Sequence, residues 1–459
     1  MDASDLAFAG AAEQARLIAA GDVSSRELVQ TYLDRIDRLN PQLNAWRVVF
    51  AERALAEADQ ADARRGAGGE RPLLGVPIAI KDDIDVAGEP TAWGTSAHAG
   101  PVARDADLVS KLRTAGAIVL GKTHVPEMTI WPFTETITFG ATRNPWDLDR
   151  TPGGSSGGTA AAVASGMVGI GVGSDGAGSI RIPAAWCGLF GIKPQRDRVP
   201  LAPHDDAWQG MSVNGPLTRR VADAALFLDA TTGENGFAAA AAREPGKLRI
   251  AVSTKLAPGQ LARVSPDARA AVERTAEMLR SLGHEVTVRD PELPASLFTN
   301  VLVRYLRGIH DDVEHAMPHP QRLEPRTRAM ARLGGLIPAS VVAKQRAAEQ
   351  AIAARINAIF DHADVLLQPG PVAGPFKVGQ FHGRGAMWTL NSVAARVPFQ
   401  GWWNATGQPA CVVPSGLDRD GLPVGVQLVG RPSDEATLLS LSAQLEAERP
   451  WADRRPPVS

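Results

Sequence analysis

The sequence predicts an α/β fold, a β-sheet covered by helices on both faces, from the alternation of its segments. Short β-prone runs alternate with helix-patterned segments along the whole chain. Two glycine-framed serine clusters, Gly153-Gly154-Ser155-Ser156-Gly157-Gly158 and Gly173-Ser174-Asp175-Gly176-Ala177-Gly178-Ser179, lie either side of one apolar run. No self-similar period and no clean linker divides the 459 residues, so one domain over 1–459 is expected.

The elements follow in order. Ser24-Ser25-Arg26-Glu27 has the form of a capping box, and Leu28, Tyr32, Ile36 and Leu39 continue at helical spacing, with Asn40-Pro41 as the expected stop. A second, Ala-rich helix is expected over 52–65. Residues 76–80 form a strand running directly into Lys81, with Asp82 and Asp83 behind it. A helix over 105–115 and a strand over 117–120 come next, then an irregular stretch holding Trp131, Phe133 and Phe139. Small residues over 157–165 predict a helix able to pack closely. A buried strand is expected over 167–172 and a short helix over 179–186. Residues 194–215 read as irregular, 221–232 as helix and 233–247 as an exposed connection. The second half alternates again: strand 248–252, helix 266–282, strand 284–288, a long helical region over 326–360, and strand 363–367. Strands over 410–414 and 424–429 and a helix over 434–448 close the chain.

Composition narrows the function classes. With 44% apolar and 21% charged residues, the chain reads as an ordinary globular protein. A formal net charge of −2 gives no basic field for nucleic acid or an anionic membrane. Cys187 and Cys411 are the only cysteines, too few for a disulfide scaffold or a Cys-rich zinc site. The acidic start, Met1-Asp2-Ala3-Ser4-Asp5, lacks the pattern of an export leader, and no run suits a membrane span. A cytoplasmic protein is expected.

The serine-rich stretch admits several readings. Gly171-Val172-Gly173-Ser174-Asp175-Gly176, with Asp197 downstream, fits the dinucleotide pattern G-x-G-x-x-G. Ser155 and Ser156 each fit G-x-S-x-G, the nucleophile elbow, but a loop rather than a strand precedes them, and nine scattered histidines supply no signature partner. Lys81 is either a solvated strand terminus or a desolvated lysine whose lowered pKa suits a base. Asp82-Asp83 has the look of a metal pair, yet adjacent acids on a strand point apart, which favours solvation or local pairing.

Taken together, Pro152 to Gly158, Gly173 to Ala184 and Gly75-Val76-Pro77-Ile78-Ala79-Ile80-Lys81-Asp82 resemble the amidase signature family. The likeness extends to Asn144-Pro145-Trp146, to Phe190 to Pro194, to Gly407-Gln408-Pro409-Ala410 and to Gly421 to Gln427, covering about 70–230 and 400–448 well. It implies a single large mixed sheet, with the C-terminal part returning to it. It also implies a Ser–cis-Ser–Lys triad: Ser179 as nucleophile, Ser155 as bridging serine on a cis Gly154–Ser155 peptide, and Lys81 as base. Gly176, Ala177 and Gly178, with Ser179, would supply oxyanion-hole N–H groups. Ser156 would hydrogen-bond Lys81, and Asp175 and Arg181 would brace the nucleophile loop. Ala177 stands where the family more often has glycine, and suits the place only with φ below zero.

The chemistry is coherent. Serine is a weak nucleophile that needs a base, a lysine must be neutral to act as one, and a hydroxyl can relay a proton between them. The expected activity is hydrolysis of a small-molecule carboxamide, with anilides, esters and carbamates (urethanes) within reach, no cofactor and no metal. The alternative is a glutamine-hydrolysing subunit of a tRNA-dependent amidotransferase. Oligomeric state stays open, a homodimer included. Trp131, Phe133, Trp208, Trp402 and Trp403 are candidate pocket residues, each equally suited to the core.

Overall fold

The computed structural model describes residues 2–66 and 71–459. Met1, of the acidic N-terminal run, and residue 70, where the resemblance begins, lie outside the described residues. Among these, eleven strands build one sheet: β1 Trp46–Val49, β2 Pro77–Lys81, β3 Ile118–Thr123, β4 Ile170–Asp175, β5 Phe190–Lys193, β6 Val213–Thr218, β7 Arg249–Val252, β8 Glu285–Val288, β9 Val365–Pro369, β10 Ala410–Leu417 and β11 Pro423–Gly430. Their spatial order is β1-β3-β2-β4-β6-β5-β10-β11-β9-β7-β8. The sheet is mixed. β3-β2-β4 and β9-β7-β8 are parallel, and every other neighbouring pair is antiparallel. Every residue of β2, β3, β4, β5, β6 and β9 is buried, so helices and loops cover both faces there.

The helix Gly157–Ala164 explains how the serine-rich stretch fits inside. All eight of its residues are buried. A Cβ on Gly158 would stand 2.5 Å from the His124 amide nitrogen, so only the smallest residues let this helix lie so close to its neighbours. No helix of the described residues is long and apolar enough to cross a membrane.

The structure corrects several sequence boundaries. Pro41 does not end its helix, which runs Ser25–Leu43 to a left-handed Asn44; the bond its missing N–H removes is outweighed by packing, with Leu39 and Leu43 buried on either side of it. The strand expected over 167–172 is displaced to β4, placing Ser174 and Asp175 on the strand itself. The short helix begins at Arg181, which leaves Ser179 in the preceding loop. Residues 194–215, expected to be irregular, contain the start of β6. The helical region 326–360 is broken into Pro325–Gly335, Ala339–Ala347 and Glu349–Asn357, with Pro338 capping the second. The longest helix of the described residues, Ser296–Ala316, falls where the sequence pattern places no element.

Candidate active site

β2 and β4 are parallel neighbours, with Ile80 in register with Val172. Parallel strands bring their C-terminal ends to one edge of a sheet. Lys81, last in β2, therefore stands beside Ser174 and Asp175, last in β4. Lys81 is fully buried, which removes the solvated reading. Its Nζ donates to Ser155 Oγ at 2.7 Å and to Ser174 Oγ at 2.6 Å, and pairs with Asp83 Oδ2 at 3.2 Å. Ser174 Oγ in turn donates to Asp83 Oδ2 at 2.5 Å. Burial lowers the Lys81 pKa from the usual lysine value, with the Asp83 carboxylate pulling the other way.

The Gly154–Ser155 peptide is cis, as the resemblance implied. A Cβ on Gly154 would stand 2.5 Å from the Trp131 carbonyl, so the loop needs glycine to pass that close. Ser155 and Ser179 both line one small cavity, but no hydrogen bond joins their hydroxyls. Such contacts commonly tighten only with substrate bound.

Two expectations are corrected. Ser156 makes no hydrogen bond to Lys81. Its hydroxyl donates to the Ser174 carbonyl at 3.3 Å, and Ser174 takes the place assigned to it. The reason is β4, whose extension beyond residue 172 carries the Ser174 side chain to the lysine. Gly178 is not a free oxyanion donor, because its N–H is taken by Asp175 Oδ1 at 2.7 Å. The N–H groups of Gly176, Ala177 and Ser179 carry no such bond. Ala177 avoids the left-handed region, whereas Gly178 adopts φ 114°, so the alanine fits.

Asp175 and Arg181, both wholly buried, form the expected ion pair. Arg181 Nη2 and Nε donate to Asp175 Oδ1 and Oδ2 at 2.9 and 3.0 Å. Burial pushes the Asp175 carboxyl up, but Arg181, Asn404 and Lys193 together hold it well below the usual carboxylate range. Asn404 and Gln427, which sequence reasoning left unassigned, complete this brace. Asn404 Nδ2 donates to the Asp175 carbonyl at 2.7 Å, and Arg181 Nη1 donates to Gln427 Oε1 at 2.8 Å. Both residues lie in or beside C-terminal segments singled out in the sequence, the available signal for them.

A second, larger cavity of about 830 Å³ empty volume meets the first at Ser179. Trp131, Trp208 and Trp402 line it. Phe133 instead stacks behind Trp131, and Trp403 is buried in the core. Among the described residues, His204 is the only histidine on either cavity. It packs edge-on against Trp93, 5.5 Å between centroids, with no hydrogen bond to a serine, so nothing supports the Ser-His elbow. The glycines of the dinucleotide pattern serve packing: a Cβ on Gly173 would stand 2.8 Å from Ser156 Oγ.

A family model described as Amidase matches residues 27–439. The chain is 57% identical to "Putative amidase AmiB2" of Mycobacterium tuberculosis over 463 residues, covering 100% of each. Its fold is similar to 6-aminohexanoate cyclic dimer hydrolase, with TM-score 0.89, 30% identity, and 98% and 99% of the two chains covered. It is also similar to a bacterial aryl acylamidase of the amidase signature enzymes, with TM-score 0.85, 26% identity and 98% of each chain covered. With its large mixed sheet and these relatives, the chain belongs to the amidase signature family, hydrolases that act on amide C–N bonds.

Proposed function

We propose that the chain hydrolyses carboxamides of apolar acids through an acyl-Ser179 intermediate. The observation that carries this reading is the larger cavity. Ile130, Trp131, Leu302, Tyr305, Val393 and Trp402 are among its walls, and no charged side chain of the described residues lines it. An apolar acyl chain gains by entering such a space. Free glutamine carries two charges that this lining would leave uncompensated, which disfavours the amidotransferase alternative.

In the proposed mechanism, neutral Lys81 accepts the Ser155 proton while Ser155 takes the proton of Ser179. Ser179 Oγ attacks the carbonyl carbon, and the N–H groups of Gly176, Ala177 and Ser179 face the developing oxyanion. The C–N bond then breaks as the proton returns through Ser155 to the leaving nitrogen. Water, activated by the same relay, attacks the acyl-serine and releases the acid. The similarity to an aryl acylamidase adds anilides to the substrates worth testing; esters and carbamates present the same carbonyl to the nucleophile.

The test is a screen of the purified protein against phenylacetamide, acetanilide, a phenyl carbamate and glutamine, paired with fluorophosphonate labelling. Phenylacetamide turnover is expected to exceed glutamine turnover, and Ser179→Ala is expected to abolish labelling. Preferential glutamine hydrolysis, or labelling that survives in Ser179→Ala, overturns the reading.

A further inference from the structure

We propose that the smaller cavity is a cation subsite for the leaving group, so that the preferred substrates join an apolar acid to an amine bearing a second, protonated amino group. This rests on the acyl-Ser179 reading and extends it to the amine side.

The two cavities that meet at Ser179 are unlike. Ser155 lines the smaller one and not the larger, whereas Ala177 lines the larger and not the smaller. A leaving nitrogen must receive its proton from Ser155, so the amine side of the scissile bond falls within the smaller cavity. The acyl side then falls within the apolar one.

The walls of the smaller cavity suit a cation. Asp83 and Asp312 both line it, and no lysine or arginine of the described residues does. Asp83 is 7% exposed, and its Oδ1 has no hydrogen-bond partner. Asp312, from the helix Ser296–Ala316, accepts from Trp208 Nε1 at 2.8 Å through Oδ2 alone. The indoles of Trp93 and Trp208 add aromatic surface, which attracts ammonium groups. The mechanism sharpens the need for a positive charge. When Lys81 is neutral, as a base must be, Asp83 loses its counter-ion. Burial pushes the Asp312 carboxyl up to about 7; the Trp208 hydrogen bond and His315 oppose this, while Asp311 and Asp83 add to it. An ammonium group between Asp83 and Asp312 would relieve both.

The experiment compares phenylacetamides of n-butylamine and of 1,4-diaminobutane, with the two-, three- and five-carbon diamines as a length series. For the full chain, kcat/KM on one or more aminoalkyl amides is expected to exceed that on the butyl amide roughly tenfold, the scale of one charge-assisted hydrogen bond. Asp312→Asn, which keeps an acceptor for Trp208, is expected to bring that ratio near one. A wild-type ratio of one or below at every length, or a ratio unchanged in Asp312→Asn, overturns the proposal. Calorimetry decides the subsite even where neither amide is turned over, which would be a failure of the acyl reading instead. There, 1,4-diaminobutane is expected to bind the wild type and not Asp312→Asn, with 1,4-butanediol as the neutral control. Absence of diamine binding overturns the subsite.

Discussion

Lys81 and Lys122 invite comparison, because they sit on paired strands, Ile80 being in register with Lys122. Both are fully buried, and each pairs with one of two consecutive aspartates. Lys81 meets Asp83 at 3.2 Å, and Lys122 meets Asp82 at 3.0 Å. Burial lowers the pKa of both. What separates them is the remaining company. Lys122 is closed in by Thr91 Oγ1 at 2.8 Å and the Pro90 carbonyl at 3.2 Å, while Asp82 also pairs with Arg47. Lys81 instead donates to two serine hydroxyls, both of which line the cavity shared with Ser179. A depressed lysine is thus not by itself a base. A path for its proton to a reacting group distinguishes the two.

The contrast can be broken experimentally, and the largest effect is expected at Lys81. Lys81→Met is expected to lower kcat/KM on phenylacetamide by about 10²–10⁴-fold, the range for loss of a general base. A variant within tenfold of wild type would remove Lys81 from the mechanism. Lys122→Met is expected to act mainly on stability. It leaves Asp82 buried with Arg47 as its one remaining ion-pair partner, at a cost of about 3 kcal/mol in chemical denaturation. Activity per folded molecule is expected to stay far above that of Lys81→Met, and equal losses in both variants would erase the distinction.

The finest test is the pH profile. Lys81 must lose a proton to act, so kcat/KM is expected to rise with pH along a limb set by its pKa, below the usual lysine range because of burial. The Asp83 carboxylate stabilises the ammonium form and so holds that pKa up. Asp83→Asn removes this attraction, and the limb is expected to move to lower pH. A limb that moves upward or stays in place would show that Asp83 does not tune Lys81.

Much of the sheet was legible because strand and helix patterning is local. The failures fall where local signals were weak or were overruled. Nothing in the run 296–316 marks a helix end as plainly as Ser265 and Pro266 mark the helix Pro266–Ser281. Pro41, which reads as a stop, is overruled by the packing of Leu39 and Leu43 around it. In the site, the glycine frames and the lysine at a strand end were readable because a motif carries its own spacing. Ser156 and Ser174 could not be told apart that way, since either hydroxyl belongs to a motif that passes near the lysine.

The sequence alone determined the α/β class, the two serine clusters and the lysine that ends β2, because each is written in a short continuous stretch. Only the tertiary structure decided which aspartate faces which lysine, which serine reaches Nζ, and that the Gly178 N–H is spent on Asp175. It also decided that Asp312 and Trp208, 104 residues apart, meet beside Ser155. These outcomes depend on parallel register, on side-chain alternation along β2 and on loops closing from distant elements. No local spacing encodes such distances.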